Sequence, residues 1–121
     1  MIFAKGARLT IEWTADAKRS RPEAEAQVPG SKKGCTAQLQ AIIQKLADKG
    51  KIFSQDQMRL EEDGIFALKA RCGLRAYGWF HRQRRGVFVV SHFIMKKTQK
   101  LDRRDLDRAR NNRDQYERIV L

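Results

Sequence analysis

Polar and apolar residues alternate along Arg8-Leu9-Thr10-Ile11-Glu12-Trp13. This is the period-2 pattern of a strand, with Leu9, Ile11 and Trp13 facing inward. Residues 14–34 break the pattern with charged and small residues and hold both prolines, Pro22 and Pro29. Within that stretch Ala15–Gln27 suits a short helix and Pro29-Gly30-Ser31 a loop. The clearest helix runs from Thr36 to Lys49, where Leu39, Ile42, Ile43 and Leu46 recur at the spacing of one buried stripe. Gly50 follows as its stop. Ser54 and Gln57 have the spacing of a capping box, which predicts a short helical turn near 55–60. Glu61-Glu62-Asp63-Gly64 then reads as a turn.

From Ile65 the period returns to two. Ile65–Arg71, Leu74–His81 and Val87–Ile94 read as three strands. Cys72-Gly73 joins the first two, and Arg82-Gln83-Arg84-Arg85-Gly86 closes a hairpin between the second and third. Residues 99–121 regain a helical pattern. Asp102 is placed to cap this helix, with Asp105 in its first turn and Leu106, Ala109, Tyr116, Ile119 and Val120 as its apolar stripe. Strands and helices are segregated, which predicts an α+β fold in one domain spanning residues 1–121. Its small antiparallel sheet, an N-terminal strand plus a three-strand meander, is expected to carry the N-terminal helices and the C-terminal helix on one face.

Alternation also sorts the strand side chains by face. Ile65, Ala67, Lys69 and Arg71 share one face, and so do Arg75, Tyr77, Trp79 and His81. Phe66, Leu68, Ala70, Leu74, Ala76, Gly78 and Phe80 take the other, which can meet the helices. The first set is expected on an open face where cations interleave with aromatic rings, an arrangement suited to RNA phosphates and unstacked bases.

Charge sharpens this reading. The net charge is +12 over 121 residues. Residues 1–64 carry 11 Lys/Arg against 9 Asp/Glu, and residues 65–121 carry 15 against 5. A cationic excess confined to one half calls for a polyanionic partner. Hydrophobic residues at 41% and charged residues at 33% fit a globular chain. Cys35 and Cys72 form no CxxC pair, and with His81 and His92 they do not have zinc-site spacing, so a reduced cytosolic protein is expected. There is no 18-residue apolar run, and the first residues lack signal-peptide anatomy, so neither a membrane nor export is expected.

The residues of interest each have two readings. Lys96, Lys97 and Lys100, at the exit of the last strand, and Lys69 and Arg75 form a phosphate site if the meander brings them together, and otherwise a solvated basic rim. Arg75, flanked by apolar residues in mid-strand, favours the site. Tyr77 and Trp79 stack on bases or cover the sheet. His81 and His92 are general acids or bases, or simply packed residues. Arg82, Arg84 and Arg85 grip an RNA backbone or decorate an exposed turn. Glu61-Glu62-Asp63 is a metal ligand set or a solvated turn. Tyr116 belongs to the core or reaches the site.

The stretch Phe66–Arg113 resembles the RelE/HigB superfamily of toxins from type II toxin–antitoxin modules, nearest its phage-derived HigB branch. Gly73, Arg75 and Phe80 carry its G-x-R-x-x-x-x-F strand. A hairpin follows, then an apolar strand ending in His92-Phe93-x-x-Lys96-Lys97-Thr98, then a helix with a central Ala109. The last half of the chain is covered well and the first 35 residues loosely. The resemblance implies ribosome-dependent mRNA cleavage with no metal or other cofactor, in which a ribose 2′-OH attacks the adjacent phosphate. It implies a phosphate-stabilising role for Arg75, a scissile-phosphate contact for Lys97 beside Lys96, and electrostatic or base assistance from Lys69. Arg71 matches a neighbouring basic position. The implied partners are mRNA, the ribosome and a helix-turn-helix antitoxin. The tyrosine some members carry after the strand-exit lysine is replaced here by Gln99-Lys100-Leu101, and their C-terminal histidine is missing. A non-catalytic RNA- or nucleoprotein-binding protein on the same fold is the alternative.

Overall fold

The computed structural model describes residues 1–97 and 102–119. Among these the chain forms β1 (Ile2–Lys5), β2 (Thr10–Trp13), α1 (Ala15–Glu25), α2 (Cys35–Lys49), β3 (Met58–Glu62), β4 (Ile65–Lys69), β5 (Leu74–Phe80), β6 (Val87–Met95) and α3 (Arg103–Ile119). One six-stranded sheet runs in the order β1-β2-β6-β5-β4-β3. The fold is α+β, as the segregated pattern predicts.

The sheet differs from expectation in three ways. It is mixed, because β2 pairs parallel with β6 while the other neighbours are antiparallel. The expected N-terminal strand is one half of a hairpin whose other half, β1, has too few alternating residues to stand out. The expected helical turn near 55–60 is a turn over 55–57 followed by the edge strand β3. Only Met58 of β3 is buried, and Leu60 is exposed, so the strand lacks the two-sided burial that would mark it in sequence.

Thr14 starts α1 by accepting the Ala17 N–H on Oγ1 at 3.0 Å, while its hydroxyl donates to the Ser91 carbonyl at 2.7 Å. Gly50 ends α2 at φ 81°, its N–H donating to Leu46 O. Asp102 caps α3 by accepting the Arg104 N–H at 2.9 Å.

The helices do not share one face. α1 and α2 cover the side carrying Leu68, Leu74, Ala76, Phe88, Val90 and Phe93, the larger core. α3 lies on the opposite side, with Leu106 and Ala109 against Ile65, Ala67, Tyr77, Trp79 and Val89. The face expected to be open is therefore a second core. The apolar stripe of α3 is interrupted in sequence because the two buried positions that follow Ala109, Arg113 and Glu117, are charged. Both are paired: Arg113 with Asp63 at 2.8 Å and Glu117 with Arg82 at 2.6 Å. Ile119 lies in α3, and Val120 of the predicted stripe lies outside the described residues.

β6 carries a bulge. Tyr77 pairs with His92, but Gly78 pairs with Val90, leaving Ser91 as the extra residue. Strict alternation would put His92 on the Phe88–Val90 side. The bulge turns it to the α3 side, where its ring stacks on Tyr77 at 5.1 Å.

Cys35 and Cys72, expected to be reduced, form a disulfide across a Cα–Cα distance of 6.0 Å. It ties the first residue of α2 to the β4–β5 turn. Spacing cannot reveal the pair, because 37 residues separate the two cysteines in the chain and the fold alone brings them together.

Candidate nucleic-acid interface

Lys69 and Arg75 face each other across the β4–β5 ladder, and the turn between them presents Arg71. Arg75 is 2% exposed. Lys69, Arg71, Arg75, Ala70 and Asp56 line an open hollow of about 280 Å³. Burial holds the Lys69 ammonium below its usual pKa, and the nearby guanidinium groups of Arg75 and then Arg59 add to the effect, with Glu61 and Asp56 opposing it.

The turn is pressed against the exit of β6. Gly73 sits at φ 105°, and a Cβ there would lie 1.9 Å from the Lys96 carbonyl oxygen, so only glycine fits. The Lys96 N–H donates to Gly73 O at 2.8 Å. Lys96 follows two residues after Ile94, the register partner of Arg75. Its ammonium lies 3.8 Å from Asp105 Oδ2. Lys97 is exposed. The strand-exit lysines and the Lys69–Arg75 pair thus flank the turn, lining two separate hollows rather than one shared pocket.

The aromatic and histidine candidates do not offer an open platform. Tyr77 and Trp79 are fully buried beneath α3. Trp79 Nε1–H donates to Glu117 Oε2 at 2.9 Å, and burial pushes the Tyr77 hydroxyl pKa up. His81 is buried, and its Nδ1 accepts the backbone N–H groups of Gln83 and Arg84, each at 3.1 Å. Accepting at Nδ1 gives it the role of a turn organiser. Base stacking by these three residues is ruled out by the helix that covers them.

The hairpin tip is also committed. Arg84 binds Glu12 through two bonds of 2.9 and 2.7 Å. Arg82 binds Glu117 through its side chain and its backbone N–H. Arg85 alone of the three is exposed without an ion pair among the described residues. Lys100 lies outside the described residues. Glu62 and Asp63 are salt-bridged to Arg103, Arg110 and Arg113, so this acidic run serves α3. Tyr116 is half-buried and donates to Glu12 Oε1 at 2.5 Å, away from the Lys69–Arg75 hollow.

Charge is consequently partitioned. Arg82 and Arg84 of the hairpin and Arg103, Arg104, Arg108, Arg110 and Arg113 of α3 are paired with carboxylates, whereas Lys69, Arg71, Arg85 and Lys97 make no ion pair among the described residues. Lys69, Arg71 and Arg75 outnumber Asp56, the one carboxylate residue lining their hollow among the described residues, and a cationic excess of this kind favours an anion.

The Arg84–Glu12–Tyr116 cluster sets an acid limit on stability. The Arg84 hydrogen bonds hold the Glu12 carboxyl well down, from its ordinary 4.5 to about 2, against the opposing effect of burial and with help from Tyr116. Tyr116 is pushed up to about 12, chiefly by burial and by the Glu12 bond. A depressed folded-state pKa stabilises the fold above the unfolded value, and this is lost as pH falls through the folded one. Stability is therefore expected to drop between about pH 4.5 and pH 2, and Glu12→Gln should flatten that part of the curve in urea titrations at successive pH values. An unchanged slope in the variant would show that the cluster does not govern acid sensitivity.

Sequence reasoning missed a buried polar cluster behind the interface. His92 is fully buried, with Nδ1 2.8 Å from Ser91 Oγ and Nε2 3.5 Å from Asp105 Oδ1. Burial lowers the His92 pKa and favours the neutral ring. Asp105 thus lies between His92 and Lys96. The bulge that assembles this group has no local sequence signal beyond the Ser91-His92 break in an apolar strand.

No protein-family model and no curated protein matches this chain. No helix among the described residues is long and apolar enough to cross a membrane.

Proposed function

We propose that this protein binds RNA through the cations flanking the β4–β5 turn and acts as a ribosome-dependent mRNA endonuclease, the toxin of a type II toxin–antitoxin module. The observation that carries the reading is Arg75. A guanidinium 2% exposed, in mid-strand and directly across from Lys69, borders a hollow that also holds Arg71. Such a group is suited to a phosphate that gains charge as a 2′-OH attacks it. Lys69, with its lowered pKa, is the proton acceptor in this scheme, and Lys96 and Lys97 steady the message beyond the turn. No metal or other cofactor enters it. The antitoxin would be an acidic-surfaced helix-turn-helix protein that covers these cations. Work on messages requires the cytosol, where thiol pools act against the disulfide.

A second reading has its own support: among the described residues no histidine or tyrosine lines the Lys69–Arg75 hollow, where Asp56 is the one acidic side chain. On this reading the protein grips RNA without cutting it. Induced expression separates the two. Growth arrest with messages cleaved in a ribosome-dependent reaction that persists in chelator supports the enzyme. Harmless expression with salt-sensitive RNA binding supports the binder, and absence of both overturns the RNA reading.

A further inference from the structure

The hollow bounded by Lys69, Arg71 and Arg75 is the first of three that run together around the β4–β5 turn. The second, about 300 Å³, is lined by Lys32, Gly34, Cys35, Gln38, Arg71 and Cys72. The third, about 490 Å³, is the largest of the three and takes in Lys32, Cys72, Met95, Lys96 and Lys97. Arg71 belongs to the first and second, and Lys32 and Cys72 to the second and third. Shared lining residues thus link the three hollows in series. Asp56, in the first, is the only carboxylate residue lining them among the described residues.

Lys32 is the unexpected member. It sits in a short 3-10 turn, Gly30–Lys32, between α1 and α2, far in sequence from the other cations. It is exposed and makes no ion pair among the described residues. Residues 29–34 are exposed too, so little packing holds this connection in place. What ties its end to the cationic turn is the Cys35–Cys72 disulfide, helped by one hydrogen bond from the Arg71 N–H to Gln38 Oε1 at 2.9 Å. Cys72 is partly exposed and lines two of the hollows.

We propose that Lys32 with Lys97 forms a second phosphate site, which takes another phosphate of the same single-stranded RNA held at Lys69, Arg71 and Arg75. We further propose that the disulfide holds the two sites at a spacing one strand can span, making RNA affinity redox-dependent. This rests on the RNA reading above. Two low-affinity contacts on one strand act together only while their separation is fixed within the reach of the chain. The reductant is a thiol. Its thiolate attacks Cys72 Sγ, the Cys35 sulfur leaves as a thiolate and takes up a proton, and a second thiol resolves the mixed disulfide. The two protein thiols are released and the reductant departs as its own disulfide.

The test is equilibrium binding of the full chain to a short polyuridylate RNA over a range of salt, oxidised and in dithiothreitol, with Lys32→Ala in both states. Each phosphate contact on a single strand contributes about 0.7 to the logarithmic salt slope, which is about fivefold in affinity at 0.1 M salt. Lys32→Ala in the oxidised protein should weaken binding about fivefold and lower the slope by about 0.7. Reduction should do the same, and Lys32→Ala should have no further effect in the reduced protein. Binding that depends on Arg75 but is indifferent to Lys32 overturns the second site and leaves the RNA reading intact. An equal effect of Lys32→Ala in both redox states overturns the bracing role of the disulfide. No binding by the wild-type chain removes the RNA reading itself. Because Lys32→Ala is an exposed change that spares the disulfide, the first comparison stands even if reduction loosens the fold.

Discussion

Arg75→Ala should leave the protein folded and lower message cleavage by about 100- to 1,000-fold, the usual effect of removing one donor from a preorganised anion site. Arg75 lies opposite Lys69 on one neighbour and Ile94 on the other. Its backbone hydrogen bonds belong to the ladder and survive truncation. The guanidinium is also one cause of the lowered Lys69 pKa, so its loss removes a repulsion at the same time as it removes the proposed phosphate donor. Two signs should then appear together: cleavage falls, and the Lys69 ammonium titrates at higher pH than in the wild type. Arg75→Lys should recover only part of the activity, because a point charge cannot reproduce the planar two-pronged donor. Full activity in Arg75→Ala, measured with melting curves that match the wild type, would move the chemistry elsewhere.

The second large effect concerns stability. Replacing both cysteines, Cys35→Ser with Cys72→Ser, should cost about 3–4 kcal/mol, the chain-entropy value for a closed loop of this length. The loop spans 37 residues and contains all of α2. For a domain of 121 residues that cost corresponds to a midpoint lower by about 10–15 °C. Thermal unfolding of the double variant, and of the wild type with and without dithiothreitol, measures it. A drop of only a few degrees would mean that packing of Leu39, Ile42 and Ile43 already restrains the ends of the loop in the unfolded chain as well as the folded one.

Much of the interface is legible in local pattern. Alternation assigns Lys69 and Arg75 to one sheet face, and the structure agrees, because strand pleating depends only on neighbouring residues. The same reasoning fails for Tyr77, Trp79 and His81. Their face is assigned correctly, but whether it is wet depends on where α3 docks. That helix hides its intent by burying Arg113 and Glu117, which read as solvent residues until their partners Asp63 and Arg82 are seen. His92 fails for a different reason: one extra residue, Ser91, reverses the side of the sheet that β6 presents.

The chain's own order of residues determined the helices α1, α2 and α3, the strands of the meander, the faces of the residues in β4 and β5 and the uneven spread of positive charge, since all of these follow from spacing or composition. Tertiary structure alone decided which cations are neutralised, which sheet face is covered, and that Cys35 meets Cys72. Those outcomes depend on contacts between residues distant in sequence, such as Glu12 with Arg84 and Asp16 with Arg108, and a buried charge keeps its place only where the fold brings it a partner.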